Sequence, residues 1–361
     1  MKNLSDKHEF NELISEYLQK LMLNTEKRYG KESSEYKALY YQYIKTDAEM
    51  LEMRECNNKH YEAILDSNKK GLRYIERLYK RQATVNLTTA CSAHCRYCLR
   101  QNYNSICIQE EDVDEIIAYL VRDRYLREIL ITGGDPMLNA NQLIHVMDRI
   151  IREAPNIKII RIGTRLPVQN PNKLDKKLER FFHDNKRKVF FELGIQVNHK
   201  IELQNETQQC IKELQKAGVV VYAQNVLLKN VNSSIETLIE LYDALRYEHI
   251  EAHYLFHPVP ISRTAQFRLS LREFLHFARL LTASGEIPGR SKPMFSLMTD
   301  IGKCTLYEGV LTETDKEGYV DVHTAYRLEE RLRWNPQYKL PESARISDDG
   351  TLIVRYMDGV R

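Results

Sequence analysis

At 361 residues, 29% charged and 43% hydrophobic, the chain has the make-up of a globular protein able to bury a large core. A net charge of +3 excludes bulk electrostatic attraction to nucleic acid as the basis of function. The opening MKNLSDKHEF has no apolar segment and no run of about 18 apolar residues follows, so neither a secretory signal nor a membrane span is expected. A cytoplasmic protein with no membrane or nucleic-acid partner is the expectation. Seven cysteines then point to thiols or metal ligands rather than disulfides.

Residues 1–80 read as an N-terminal helical region. FNELISEYLQKLM and YKALYYQYIKTDAEMLEM both space apolar residues at i, i+3 and i+4. From residue 81 the pattern changes. ATVNLTT, REILIT, IKIIRIGT, KVFFELGIQV, VVVYAQNVLL and EAHYLFHPV read as strands, and PMFSLMT as a seventh candidate. Between them lie amphipathic stretches: EEDVDEIIAYLVRD, NQLIHVMDRIIREA, PNKLDKKLERFFHD, IELQNETQQCIKELQKAG and SSIETLIELYDALRYE. Strand–helix alternation implies a parallel sheet, and its extent over 81–304 predicts an α/β fold, a partial (β/α)6-type barrel. A complete eight-fold barrel takes about 250 residues by itself. Residues 305–361 lose the alternation. Turns at Lys316-Glu317-Gly318 and Asp349-Gly350 predict a small β-containing C-terminal appendage.

The informative cysteines lie in TACSAHCRYCLR, just after the first strand, where Cys91, Cys95 and Cys98 form a C-x3-C-x2-C array. In such folds chemistry sits at the carboxyl ends of strands. Three thiolates can hold a [4Fe–4S] cluster with one iron open, or a zinc completed by His94 or a distant histidine. Spacing alone leaves both open. Cys56 and Cys210 read as small buried hydrophobes.

The second strand ends in ITGGDPMLN. With Gly133, Gly134 and Asp135 opposite a three-cysteine loop whose third cysteine follows Tyr97, the chain resembles the radical S-adenosylmethionine (radical SAM) superfamily. That resemblance implies that S-adenosylmethionine (SAM) occupies the open iron and is cleaved to a 5′-deoxyadenosyl radical. It also implies a one-electron donor such as a flavodoxin or ferredoxin.

CSAHCRYCLR, ITGGDPML, IIRIGTRLPV, QVNH and AGVVVYAQNVLLKNVN further resemble the lysine 2,3-aminomutase family over roughly residues 75–310. The family resemblance implies pyridoxal 5′-phosphate (PLP) held by Lys303 as a Schiff base, and a small amino-acid substrate whose carboxylate Arg100 grips. It places Tyr97 by the SAM adenine, and Arg165, Gln224 and Asn225 at SAM or PLP without choosing between them. Gly133, Gly134, Asp135 and Asn198 join the cofactor-binding set, with His199 beside Asn198. Arg77 and Arg81 stand near the family's phosphate-binding arginines.

The chain also departs from the family. Val259 and Ser296 replace the two acids that hold the lysine ammonium, and neither can pair with a cation. His257 and Asp300 lie nearby but out of register. The family's C-terminal cysteine site is absent, and any homo-oligomer cannot depend on it. The expected reaction is a 2,3-amino shift on an α-amino acid other than lysine. An acidic substrate would find Arg263, Arg268 and Lys292. Rival readings are radical elimination, decarboxylation or epimerisation, modification of a protein lysine, and a non-catalytic zinc-binding module.

Overall fold

The computed structural model describes residues 10–50, 74–100, 106–261, 263–306 and 311–359. Two N-terminal helices, α1 (Glu16–Tyr29) and α2 (Ser34–Tyr43), start at the serine caps Ser15 and Ser33. They bury Leu18, Leu21, Leu39 and Tyr43 together with Ala93 of the cysteine loop. The second predicted helix ends early, because Ile44 is already extended. Cys56 lies outside the described residues.

One sheet forms the body. Its strands run in chain order: β1 (Ile75–Glu76), β2 (Gln82–Thr88), β3 (Glu128–Gly133), β4 (Ile159–Thr164), β5 (Phe190–Ile195), β6 (Val219–Val226), β7 (Glu251–Phe256), β8 (Met294–Thr299) and β9 (Gly302–Thr305). From β2 to β8 every pairing is parallel, while β1 and β9 are antiparallel at the two edges. The seventh candidate strand is therefore a full parallel member. The curled sheet is a partial barrel, as expected. It also begins at Ile75, ahead of the predicted boundary at 81, because β1 pairs back on β2.

Covering helices are α3 (Glu110–Arg122), α4 (Ala140–Glu153), α5 (Leu166–Gln169), α6 (Lys176–Asn185), α7 (Asn205–Lys216), α8 (Ile235–Tyr247) and α9 (Leu271–Ala283). The stretch predicted as one helix over 171–184 is two pieces. A 3-10 turn starts at Pro171, and Asp175 caps α6 through the Lys177 N–H. Helix α9 has no counterpart among the predicted stretches.

Strand alternation sorts the two faces. On β3 and β4, Ile129, Ile131, Ile160 and Ile162 face the helices and are fully buried. Glu128 and Arg161 take the opposite face, toward the barrel lumen. The C-terminal unit is a three-stranded sheet, β10 (Tyr319–Arg327), β12 (Thr351–Met357) and β11 (Ala344–Ile346), with α10 (Leu328–Trp334) after β10. The Asp-Gly turn joins β11 to β12, with Gly350 at φ 79°. Among the described residues, no helix is long and apolar enough to cross a membrane.

Candidate active site

The cysteine loop leaves the carboxyl end of β2 and is held from both sides. From β3, the Gly134 N–H donates to Thr88 O and the Asp135 N–H to Ala90 O. A Cβ at Gly133 would strike the Thr88 carbonyl, and one at Gly134 the Ala90 carbonyl. The paired glycines thus admit the backbone of the cysteine loop itself. Asp135 is buried and accepts from Thr164 Oγ1 (2.7 and 2.8 Å), the Arg165 N–H (2.8 Å) and the Met137 N–H (3.1 Å). Its carboxyl nonetheless sits above the usual range, burial outweighing these donors.

From the N-terminal side, Arg96 forms a buried ion pair with Glu49 at 2.5 Å and donates to Asn11 O and Phe10 O. His94 stacks on Phe10 and its Nδ1 meets Asn11 O at 2.8 Å. The N-terminal helices are part of the site's frame.

Cys91, Cys95 and Cys98 are each half-buried. Burial pushes the Cys91 thiol up, with further contributions from the charges of Cys98, Asp135 and Cys95. Cys95 Sγ receives two donors, Arg165 Nη1 at 2.9 Å and Gln169 Nε2 at 3.2 Å. A thiolate ligand is what such donors serve, so the loop fits an iron–sulfur cluster. Among the described residues, no three His, Cys, Asp or Glu side chains form a site for a single metal ion. A four-iron cluster makes no such demand, because each cysteine binds a different iron.

Arg165 is saturated by protein. Its other donors reach Gln196 O (3.1 Å), Tyr97 Oη (2.6 Å), Gln42 Oε1 (3.1 Å) and Glu202 Oε1 (2.5 Å). All five N–H groups are engaged, so Arg165 acts on Cys95 and the loop rather than standing open to a cofactor. Tyr97 and Asn198 belong to the same buried network. The Tyr97 hydroxyl lies within hydrogen-bonding distance of Gln42, Gln196, Asn198 and Arg165, while the Asn198 Oδ1 accepts from the Val226 N–H. Glu202, which the sequence reading missed, also accepts the Asn198 and His199 N–H groups. His199 Nδ1 in turn accepts from the Ile201 N–H. It is structural.

On β6 the expected pair splits. Gln224 faces the lumen beside Gly194. Asn225 points the other way, donating to Val197 O and accepting from Tyr242 Oη of α8 at 3.2 Å. Its place at the mouth is a misreading of which face alternation gives it.

The lumen holds Lys303. It extends from β9 with Nζ 5.0 Å from the Tyr254 ring and 5.8 Å from Phe256. Burial lowers its pKa from 10.5 to about 8, helped by the Arg161 charge and opposed by Glu128. Arg161 bridges Glu128 (2.9 Å) and Glu192 (3.1 Å) across β3, β4 and β5. A charge in the middle of an apolar strand run was the available signal for Arg161 and Glu192. Arg100 bonds Asn86 of β2, whose amide donates to Glu76 at 2.6 Å.

Several charges fall elsewhere. Arg77 is buried outside the lumen, on Asp123, Tyr119 Oη, the Tyr79 and Lys80 carbonyls and the Trp334 ring, and Arg81 is exposed. Lys292 donates to the Thr282 and Ser284 carbonyls at the end of α9. His257 is a core residue: its Nε2 meets Leu269 O at 2.7 Å and burial lowers its pKa to about 4. Arg268 is buried against Met357 Sδ.

A family model described as a 4Fe-4S single cluster domain matches residues 80–179. The chain is 31% identical over 234 residues to a putative L-lysine 2,3-aminomutase of Aquifex aeolicus, covering 62% of this chain and 60% of that one. These matches support a divergent relative of the radical SAM, lysine 2,3-aminomutase-like proteins. Against the L-lysine 2,3-aminomutase of Clostridium subterminale it is 28% identical, over 49% of this chain and 43% of that enzyme. The chain thus spans about 60% of the Aquifex relative's length and less of the Clostridium enzyme. Streptococcus suis SuiB bound to S-adenosylmethionine aligns with TM-score 0.44 and 14% identity, over 66% of this chain and 61% of that one.

Proposed function

We propose that this protein cleaves SAM at a [4Fe–4S] cluster on Cys91, Cys95 and Cys98, and uses the radical for a PLP-dependent 2,3-amino shift. The substrate is a small α-amino acid other than lysine. The observation that carries the reading is the position of Lys303. A half-buried primary amine, with its pKa lowered to about 8, lies among the lumen side chains Arg161, Glu128 and Tyr254. A desolvated lysine is the form that attacks a carbonyl.

When bound, the cluster supplies one electron to SAM, and PLP supplies a carbonyl carbon that lets nitrogen cross between adjacent carbons. The chain's own residues do the rest. Lys303 offers its neutral amine, with Tyr254 and Phe256 forming an apolar wall beside it. Arg100, fixed through Asn86, offers the guanidinium fork for a carboxylate. Gly163 and Gly194, paired across β4 and β5, bring no side chain of their own into the lumen, where Thr132 and Gln224 lie against them. The residues fit the aldehyde end of PLP. Neither Arg77 nor Arg81 can meet its phosphate from where it lies.

Val259 and Ser296 supply no charge, which supports a substrate without a distal ammonium. Reduced, reconstituted protein should convert one of a panel of α-amino acids to its β-isomer, with 5′-deoxyadenosine detected by mass. SAM cleavage with no β-amino acid from any of them would overturn the amino shift. The radical reading would stand.

A further inference from the structure

We infer that Tyr79 and Tyr326 are positioning residues for Lys303, and that the C-terminal unit completes the active site by fixing the turn that carries this lysine. The inference rests on reading Lys303 as the reactive amine.

Strand β9 is an edge of the sheet, so one side of it offers unpaired N–H and C=O groups. At Lys303 both are taken by tyrosine hydroxyls. The Lys303 N–H donates to Tyr79 Oη at 3.0 Å, and the Tyr326 hydroxyl donates to Lys303 O at 2.6 Å. Tyr79 belongs to the link between β1 and β2, at the opposite edge of the same sheet. One side chain therefore bridges the gap that a closed barrel would fill with a ladder. Tyr326 comes from β10 of the C-terminal unit. The two hydroxyls also interact with each other.

The same unit holds each neighbouring residue. Ser343 bonds Asp300, and Arg331 Nη2 donates to Ile301 O at 2.8 Å from between the rings of Tyr326 and Tyr338. Gly302 has φ 128°, and a Cβ there would lie 3.2 Å from Tyr326 Oη and 3.4 Å from Tyr79 Oη. A side chain at 302 would be strained and would press on both hydroxyls. Asp300, Ile301 and Lys303 are thus held by four hydrogen bonds, three of them from the C-terminal unit.

Loosening this clamp should let the amine swing from the aromatic wall toward water. The charged and titratable groups that face it are Glu128 on β3, Arg161 on β4, and His253 and Tyr254 on β7. None of them is altered by a Tyr→Phe change at 79 or 326.

The test is reductive methylation of the full-length protein with labelled formaldehyde, read at Lys303 by peptide mass across pH. Wild type should reach half-reactivity near pH 8, and Tyr326→Phe and Tyr79→Phe should each move that midpoint upward by a unit or more. Borohydride trapping of pyridoxal phosphate on Lys303 should need about tenfold more cofactor in the variants. Iron content should not change. Midpoints and trapping equal to wild type in both variants would overturn the clamp. If wild type traps no pyridoxal phosphate but the methylation midpoint still moves, the clamp stands and the PLP reading falls.

Discussion

Arg165 Nη1 lies 2.9 Å from Cys95 Sγ, and the same guanidinium is paired with Glu202 at 2.5 Å in a fully buried setting. A sequence motif at the end of β4 thereby acts on a cluster ligand that leaves β2. Gln169, from the short helix α5 that follows, adds a second donor to the same sulfur at 3.2 Å. Hydrogen bonds to a ligand sulfur favour the more negative, reduced cluster and raise its potential.

Gln169→Leu should therefore lower the midpoint potential of the reconstituted cluster. A single neutral hydrogen bond is worth about 1 kcal/mol net, which sets roughly 40 mV as the upper bound for a one-electron couple. A potentiometric titration followed by electron paramagnetic resonance measures it. An unchanged or raised potential would show that the Gln169 amide does not act on the reduced cluster. Arg165→Met is a different case, since it strands Glu202 as an uncompensated buried charge. A loss of about 3–5 kcal/mol of stability is expected, visible as a lowered urea midpoint.

The cysteines should separate cleanly by position. Ala at Cys91, Cys95 or Cys98 should abolish reconstitution to four irons and the 5′-deoxyadenosine that depends on it. Ala at exposed Cys107 should leave iron content intact. Iron and sulfide analysis after anaerobic reconstitution decides it. Retention of four irons in Cys98→Ala would remove that cysteine from the ligand set.

The barrel strands and the cysteine loop were legible because each rests on local pattern. The seven parallel strands are short, mostly apolar runs alternating with helical stretches, and the loop is a contiguous motif. What was not legible depends on contacts between distant segments. Arg165 looked free for a cofactor because no spacing rule connects it to Glu202 or Gln42. Asn225 looked inward because a strand end does not state its register, while Tyr242 on α8 does. Strand β9 is four residues long and owes its place to pairing with β8 and to two tyrosine hydroxyls.

Arg100→Lys should weaken substrate binding more than radical generation. Its planar fork suits a carboxylate in two parallel bonds, which an ammonium cannot reproduce. An increase of about tenfold or more in KM is expected, while cleavage of SAM without substrate stays near wild type. Steady-state kinetics on the amino acid identified by the panel gives the comparison. A fall in kcat with KM unchanged would move Arg100 from substrate binding to another role.

Lys303 gives the fold a pH signature of its own. Its folded pKa is lowered to about 8 from 10.5, so the native state gives up its proton before the unfolded chain does. Between those values the unfolded state binds more protons, and stability therefore rises with pH. Below about pH 8 both states are protonated at this site, and the cost of holding a charged amine in the lumen is fully present. That cost is on the order of 2 kcal/mol, discounted because the side chain is only partly buried. Lys303→Met should remove it, raising stability at neutral pH and flattening the rise between pH 8 and pH 10. Urea unfolding at pH 7, 8, 9 and 10 for both proteins checks the sign. A variant less stable than wild type at pH 7 would mean that Glu128 stabilises the amine more than burial opposes it, and the nucleophilic role assigned to Lys303 would lose its physical basis.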